Sequence, residues 1–419
     1  MAVSSYLRTI GSYFSVSGDI VDSTEKLSIT DGAFWAIYTS MTTPFLVPLI
    51  IIILGNNAPV GYMVGLPVLL VPLAQILSQK ASRRASDLKA LTIAITFFDR
   101  LLWVPIIFMV FVHGYFDRFF LLVLFLSLRA FFASFSGTTW TLWVPTVVPA
   151  GHRISYFARR NFVMKIFSLV GYALALGIFL RISDEITALL VVFLTGSILF
   201  SSLSLYVMAR IPSFSLSTDD RNERKPIDSG FSRYMLFAVV WSIGYTMVLP
   251  YFQLYVVSAN FLNQSGTFYT ILFVVLSAAS ISSQLFWGKF SGRYGNMPAI
   301  LISGVMSAVA SLAIFTISSP LAIFVPTIVY GVAQSGITLA MFNEMVGKAA
   351  SSRVKSVSYY ALTQSLAGAV GPIFANFLFD IGRYRVEPVF IAAFSLMGVS
   401  LVILIAVNRL KITDFNSHA

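Results

Sequence analysis

Apolar residues in this chain come in runs of about twenty, separated by short polar connections. The runs fall at about 32–54, 59–79, 90–112, 119–146, 161–181, 187–208, 233–257, 267–287, 297–316, 320–345, 356–379 and 388–408. As a helix rising about 1.5 Å per residue, each run can cross ~30 Å of hydrocarbon. Lipid offers no water to a stray backbone N–H or C=O, so only helices and closed barrels span it. Runs this long and unbroken exclude barrel strands. The pattern predicts an all-α polytopic membrane protein with twelve transmembrane helices.

Basic residues then orient the spans. Twenty-two of the twenty-eight lysines and arginines fall before span 1, after span 12 or in even-numbered connections; four lie in odd-numbered ones (Arg118, Arg181, Arg383, Arg385). An excess of Lys and Arg marks the cytoplasmic side, so both termini are expected inside the cell, with the chain multi-pass in the plasma membrane. Residues 1–31 lack the basic stretch and compact apolar core of a cleavable signal and read as a cytoplasmic leader. Residues 209–232, rich in serine and mixed charge with two prolines, read as a cytoplasmic linker. The linker divides the chain into bundles at 32–208 and 233–408, with a tail at 409–419.

Composition agrees: 57% of residues are hydrophobic, 11% charged, and the mean hydropathy of +0.84 exceeds what a water-facing surface carries. The net charge of +11 is accounted for by topology, so a nucleic-acid partner is not expected. Without cysteine there is no disulfide or thiolate chemistry, and His113, His152 and His418 have no metal-ligand spacing. No phosphate-cradling G-x-x-x-x-G-K-[ST] loop is present, which argues against direct ATP use. No cofactor, metal or catalytic residue is expected.

The two sixes echo each other. Gln75, Lys80, Ser82 and Arg84 after span 2 share their spacing with Gln284, Lys289, Ser291 and Arg293 after span 8. Arg153 and Gly171 likewise share their spacing with Arg353 and Gly371. Two matches at equivalent places indicate duplication.

These loops resemble the major facilitator superfamily, whose connections after helices 2 and 8 carry G-x-x-x-D-R-x-G-R. The second copy here, Gly288 to Asn296, keeps Gly288, Arg293 and Gly295 but has Gly292 at the aspartate position and Asn296 at the last basic one. The first copy keeps Arg84 and has Arg83 at the acidic position. Trp140 to Asn161 also looks like the family's stretch at the end of helix 4. The resemblance implies two pseudo-symmetric six-helix bundles. It also implies a cavity lined by helices 1, 4, 7 and 10, and a cytoplasmic gate involving Arg84, Gly288, Arg293 and Gly295. Loss of the aspartates alters that gate's usual chemistry.

Charges near mid-membrane are costly and point to function. Asp99 and Arg100 in span 3 and Arg129 in span 4 all approach the midplane. Adjacent residues diverge by ~100° on a helix, so Asp99 is expected to pair with Arg129 rather than Arg100. Either this pair only locks the first bundle, or Arg129 contacts an anionic or carbonyl-bearing solute and Asp99 carries a proton. Glu344, near the cytoplasmic end of span 10, reads as an interfacial carboxylate or a coupling group.

Trp35 and Tyr38 precede Pro44 and Pro48 on span 1, and Trp241 and Tyr245 precede Pro250 on span 7. They read as interface aromatics beside kinks or as cavity walls. Gln253, Gln334 and Gln364 suit interhelical hydrogen bonds, with Gln334 also a solute-contact candidate; Gly61, Gly65, Gly368 and Gly371 suit close packing. The function expected is secondary active transport of a small organic solute by alternating access, ion or proton coupled, by a monomer in the bilayer. The alternatives are a transport-inactive sensor or scaffold, or an intramembrane lipid-modifying enzyme.

Overall fold

The computed structural model describes residues 20–147, 153–212, 229–317, 319–348 and 353–416. Residues 1–19 of the predicted leader, 213–228 of the predicted linker and 417–419 of the tail lie outside that set. Among the described residues, twelve helices are long and apolar enough to cross a membrane. The first six are α1 (Thr24–Leu54), α2 (Val60–Arg84), α3 (Leu88–Phe111), α4 (Tyr115–Trp143), α5 (Arg159–Arg181) and α6 (Glu185–Arg210). The second six are α7 (Phe231–Val257), α8 (Gly266–Tyr294), α9 (Asn296–Thr316), α10 (Phe324–Met345), α11 (Tyr359–Ile381) and α12 (Glu387–Ala406).

Each matches a predicted span, and the largest offset is at the start. The first helix begins at Ile20, so it takes in the last twelve residues of what reads from sequence as leader. That stretch reads as soluble because it carries Asp22, Glu25, Lys26 and Asp31; in the fold the Asp31 carboxylate, the one nearest the apolar run, meets Arg160 at 3.7 Å, which offsets its burial. α1 breaks at Thr43–Phe45, around Pro44, whereas α7 runs unbroken through Pro250.

The duplication is visible in the packing. α1 lies on α5 and α6, α4 on α2 and α3, and α3 touches α6; α7 lies on α11 and α12, α10 on α8 and α9, and α9 touches α12. Even the close approaches repeat. A Cβ on Gly171 of α5 would strike the Ser40 hydroxyl and the Ile37 carbonyl of α1, and one on Gly371 of α11 would strike Thr246 and the Ile243 carbonyl of α7. Small residues let these backbones approach, which is the main source of packing energy where lipid is as apolar as the side chains.

Two seams join the bundles, α2 on α11 and α5 on α8. At the predicted outer face they are tied by polar contacts. Asn376 Oδ1 on α11 accepts from the Gly61 N–H of α2 and from the Tyr251 hydroxyl of α7, both at 3.1 Å. Ser258 Oγ donates to the Asn56 carbonyl at 3.2 Å, Asn260 Nδ2 to Asn57 Oδ1 at 2.6 Å, and the Tyr269 hydroxyl to the Pro44 carbonyl.

Candidate functional site

α1 and α4 do not pack on each other closely, and neither do α7 and α10. Each gap is bridged by side chains at mid-depth. Arg129 stands fourteen residues from either end of α4, and Asp99 and Tyr38 are also near the middle of their helices. In the first bundle Arg129 Nη2 donates to the Tyr38 hydroxyl at 3.1 Å, and Trp103 Nε1 donates to the same oxygen at 2.7 Å. Asp99 lies behind them, with Oδ1 3.6 Å from Arg129 Nε and Oδ2 3.4 Å from Arg100 Nη1. The guanidiniums stack on aromatic faces, Arg100 4.0 Å above the Tyr38 ring centroid and Arg129 4.1 Å above that of Trp103.

The expected Asp99 to Arg129 pairing is present, but the expectation that Arg100 would stay apart from Asp99 is overturned. Divergence by ~100° describes where adjacent side chains start, not where a long one ends. Arg100 folds toward α1 to reach Tyr38 and thereby comes within ion-pair distance of its neighbour. Two guanidiniums thus share one carboxylate, leaving a unit of positive charge in a low-dielectric site. Asp99 Oδ1, Arg100 Nε and Arg129 Nε are buried without a hydrogen-bond partner, so the cluster has polar capacity to spare. Arg129 is its most accessible charge, with 19% of its side chain exposed against 9% for Arg100 and 5% for Asp99.

The second bundle has a neutral analogue. Gln334 Nε2 on α10 donates to the Tyr245 hydroxyl on α7, and Tyr330 stacks on Tyr245 at 6.2 Å and 9°. The aromatic pairs read from sequence divide: Tyr38 and Tyr245 bridge the gaps, whereas the tryptophans do not join them among the described contacts. Trp35 is 38% exposed on α1, and Trp241 is buried on α7 beside Phe237 and Gly304. Gln364 bonds Ser242 and the Ala238 carbonyl of α7, the interhelical role expected of it.

At the predicted inner face, Glu344 accepts from Asn296 Nδ2 at 3.3 Å, and Asn296 Oδ1 accepts from Ser291 at 2.5 Å. The second loop motif, which lacks its own aspartate, thus receives a carboxylate from α10. Gly295 sits at φ +86°, a conformation that favours glycine and lets α9 start one residue after α8 stops. Gly288 faces Leu339, Arg293 lies beside the Tyr294 ring, and Arg84 is exposed at the end of α2.

A second buried ion pair is not evident in the sequence. Arg160 on α5, which reads as one more basic residue of the 4–5 connection, pairs with Asp31 and lies 4.3 Å over the Trp140 ring. Ser204 of α6 donates to Asp31 at 2.7 Å, and Ser28 and Tyr156 bond at 2.5 Å. Only the combination of an acid at the edge of one apolar run and a base at the edge of another hints at this pair, and 129 residues separate them.

A family model described as Major Facilitator Superfamily matches residues 32–372 and, separately, 234–416. A D-xylose-proton symporter superposes with TM-score 0.70 at 14% identity, over 92% of this chain and 97% of its own. The nucleoside transporter NupG superposes with TM-score 0.66 at 12% identity, over 92% and 98%. A bacterial homologue of the iron transporter ferroportin gives 0.70 at 11% identity, over 93% and 99%. No curated protein matches in sequence. At these identities the superpositions speak for the fold. The family match covers most of the chain, and the repeated packing of twelve helices accords with it: this protein belongs to the major facilitator superfamily.

Proposed function

We propose that the chain is a secondary active transporter that moves a small organic solute bearing an anionic or carbonyl group by alternating access, with ion or proton coupling. The supporting observation is the mid-depth cluster in which Arg100 and Arg129 share Asp99. A monoanion beside Arg129 would balance that charge, and a planar guanidinium suits a carboxylate held by two parallel hydrogen bonds. The Tyr245, Tyr330 and Gln334 group supplies a neutral aromatic wall at similar depth for the rest of the solute. The same reading puts the chain in the plasma membrane as a monomer, with both termini inside.

Flux in proteoliposomes tests this. Arg129→Ala is expected to reduce uptake of the transported solute by at least tenfold at unchanged reconstituted protein, with Arg129→Lys recovering only part. Uptake by Arg129→Ala equal to wild type would remove Arg129 from the site. The loop motif's missing aspartates favour a second reading, a transport-inactive sensor, and no gradient-driven flux across a broad solute panel would select it.

A further inference from the structure

The α5–α8 seam is marked by contacts at three heights, seven residues apart on α5 and seven then eleven apart on α8. Phe179 meets Gly266, the Tyr172 ring lies 6.1 Å from that of Phe273, and the Lys165 ammonium donates to the Gln284 side-chain carbonyl. On the α2–α11 seam the innermost of these contacts has a partner, Gln75 Nε2 donating to Ser365 Oγ at 3.4 Å. The two rungs are counterparts in the duplication. Gln75 and Gln284 occupy the same place ahead of the two loop motifs, and Lys165 and Ser365 each stand twelve residues beyond the matched Arg153 and Arg353.

The comparison isolates the charge. A hydroxyl suffices to hold the rung on one seam, so joining the bundles does not require an ammonium on the other. Lys165 is nevertheless partly buried, no carboxylate among the described residues pairs with it, and its acceptor is a neutral amide. Burying a cation against a neutral partner is unfavourable. A lysine near a helix end can extend its ammonium to the membrane surface, but this one turns across the seam onto α8.

We propose that Lys165 is a second anion-binding station for the solute, at the inner rung of the α5–α8 seam. Its helix continues inward to Arg153 and that of Arg129 to Val147, so it stands twelve residues from the inner helix end against eighteen for Arg129, ~9 Å nearer the predicted inner face. An anionic group arriving there takes the ammonium from Gln284 and frees the rung between the bundles, so the solute itself releases the contact that must part for inward opening. The inference rests on the anionic-solute reading of Arg129, and it adds that the anion has two stations on one path.

Lys165→Ser reproduces the chemistry of Ser365 and keeps a rung. Thermal stabilisation of the purified full chain by sodium benzoate, sodium gluconate and glucose 6-phosphate, with glucose and choline chloride as controls, measures anion binding. At least one anion should stabilise wild type. Lys165→Ser should weaken that anion's apparent affinity about tenfold, as loss of a charged hydrogen bond does, while Lys165→Arg stays within about threefold of wild type. Should Lys165→Ser not fold, Lys165→Gln carries the same expectation. Affinity unchanged on removal of the charge but reduced by Arg129→Ala overturns the Lys165 station and leaves the Arg129 reading standing. No stabilisation of wild type by any anion overturns both.

Discussion

The Tyr38 hydroxyl on α1 accepts a hydrogen bond from the Arg129 guanidinium on α4, at 3.1 Å, across a gap that the two helix backbones do not close. The same oxygen accepts from Trp103 at 2.7 Å. One phenol thereby sets the position of the most accessible charge in the bundle and ties α3 and α4 to α1.

Tyr38→Phe keeps the ring under Arg100 and removes only the oxygen. Two buried donors, Trp103 Nε1 and Arg129 Nη2, then lose their acceptor, which costs about 1–3 kcal/mol each when nothing replaces it. Lower thermal stability in detergent is expected, together with a raised KM for the transported solute from a less ordered Arg129. A variant equal to wild type in both would mean that the hydroxyl does not position the arginine.

The Asp31 and Arg160 pair offers a double-mutant cycle. Asp31→Leu or Arg160→Met alone leaves one charge buried without its partner, and either should destabilise the protein by about 3–5 kcal/mol. Asp31→Leu with Arg160→Met should recover much of that loss, because apolar groups of similar size satisfy the space without desolvating a charge. Thermal denaturation of the four proteins reads the coupling; additive losses would contradict a direct pair.

The absence of cysteine makes the chain its own background for single-cysteine labelling. Asn57→Cys is expected to react with a membrane-impermeant maleimide from outside intact cells, and Ser86→Cys only after permeabilisation. The reverse pattern would invert the topology read from the basic residues. On a Ser258→Cys background, where the reporter is buried in the outer ties, Asn376→Ala removes the acceptor shared by Gly61 and Tyr251. Labelling from outside should then rise severalfold; an unchanged rate would show that Asn376 does not hold the outer face together.

Much of the architecture is legible in the chain itself. A bilayer demands about twenty apolar residues per crossing and satisfied backbone groups throughout, so twelve such runs dictate twelve helices with no knowledge of contacts. The matched spacings from Arg153 to Gly171 and from Arg353 to Gly371 foretell the two close approaches of α5 on α1 and α11 on α7, because the duplicated glycines serve duplicated packing. The mid-membrane position of Arg129 and Asp99 is equally visible, since depth follows from counting residues along a helix.

Partnership required the tertiary structure. Hydropathy carries depth but not azimuth, and a guanidinium can swing far from its Cβ direction, so Arg100 reaches both Asp99 and Tyr38 against the spacing rule. Asp31 and Arg160 each look like residues of a polar connection until the fold brings them together and makes their burial affordable. Lys165 reads as one more inside charge until the seam pairs it with Gln284 where its counterpart Ser365 is neutral. How many times the chain crosses, and how deep along its helix each charge lies, follow from the amino-acid order alone; which charges meet was decided by helix rotation and packing, as for Asp31 and Arg160, 129 positions apart.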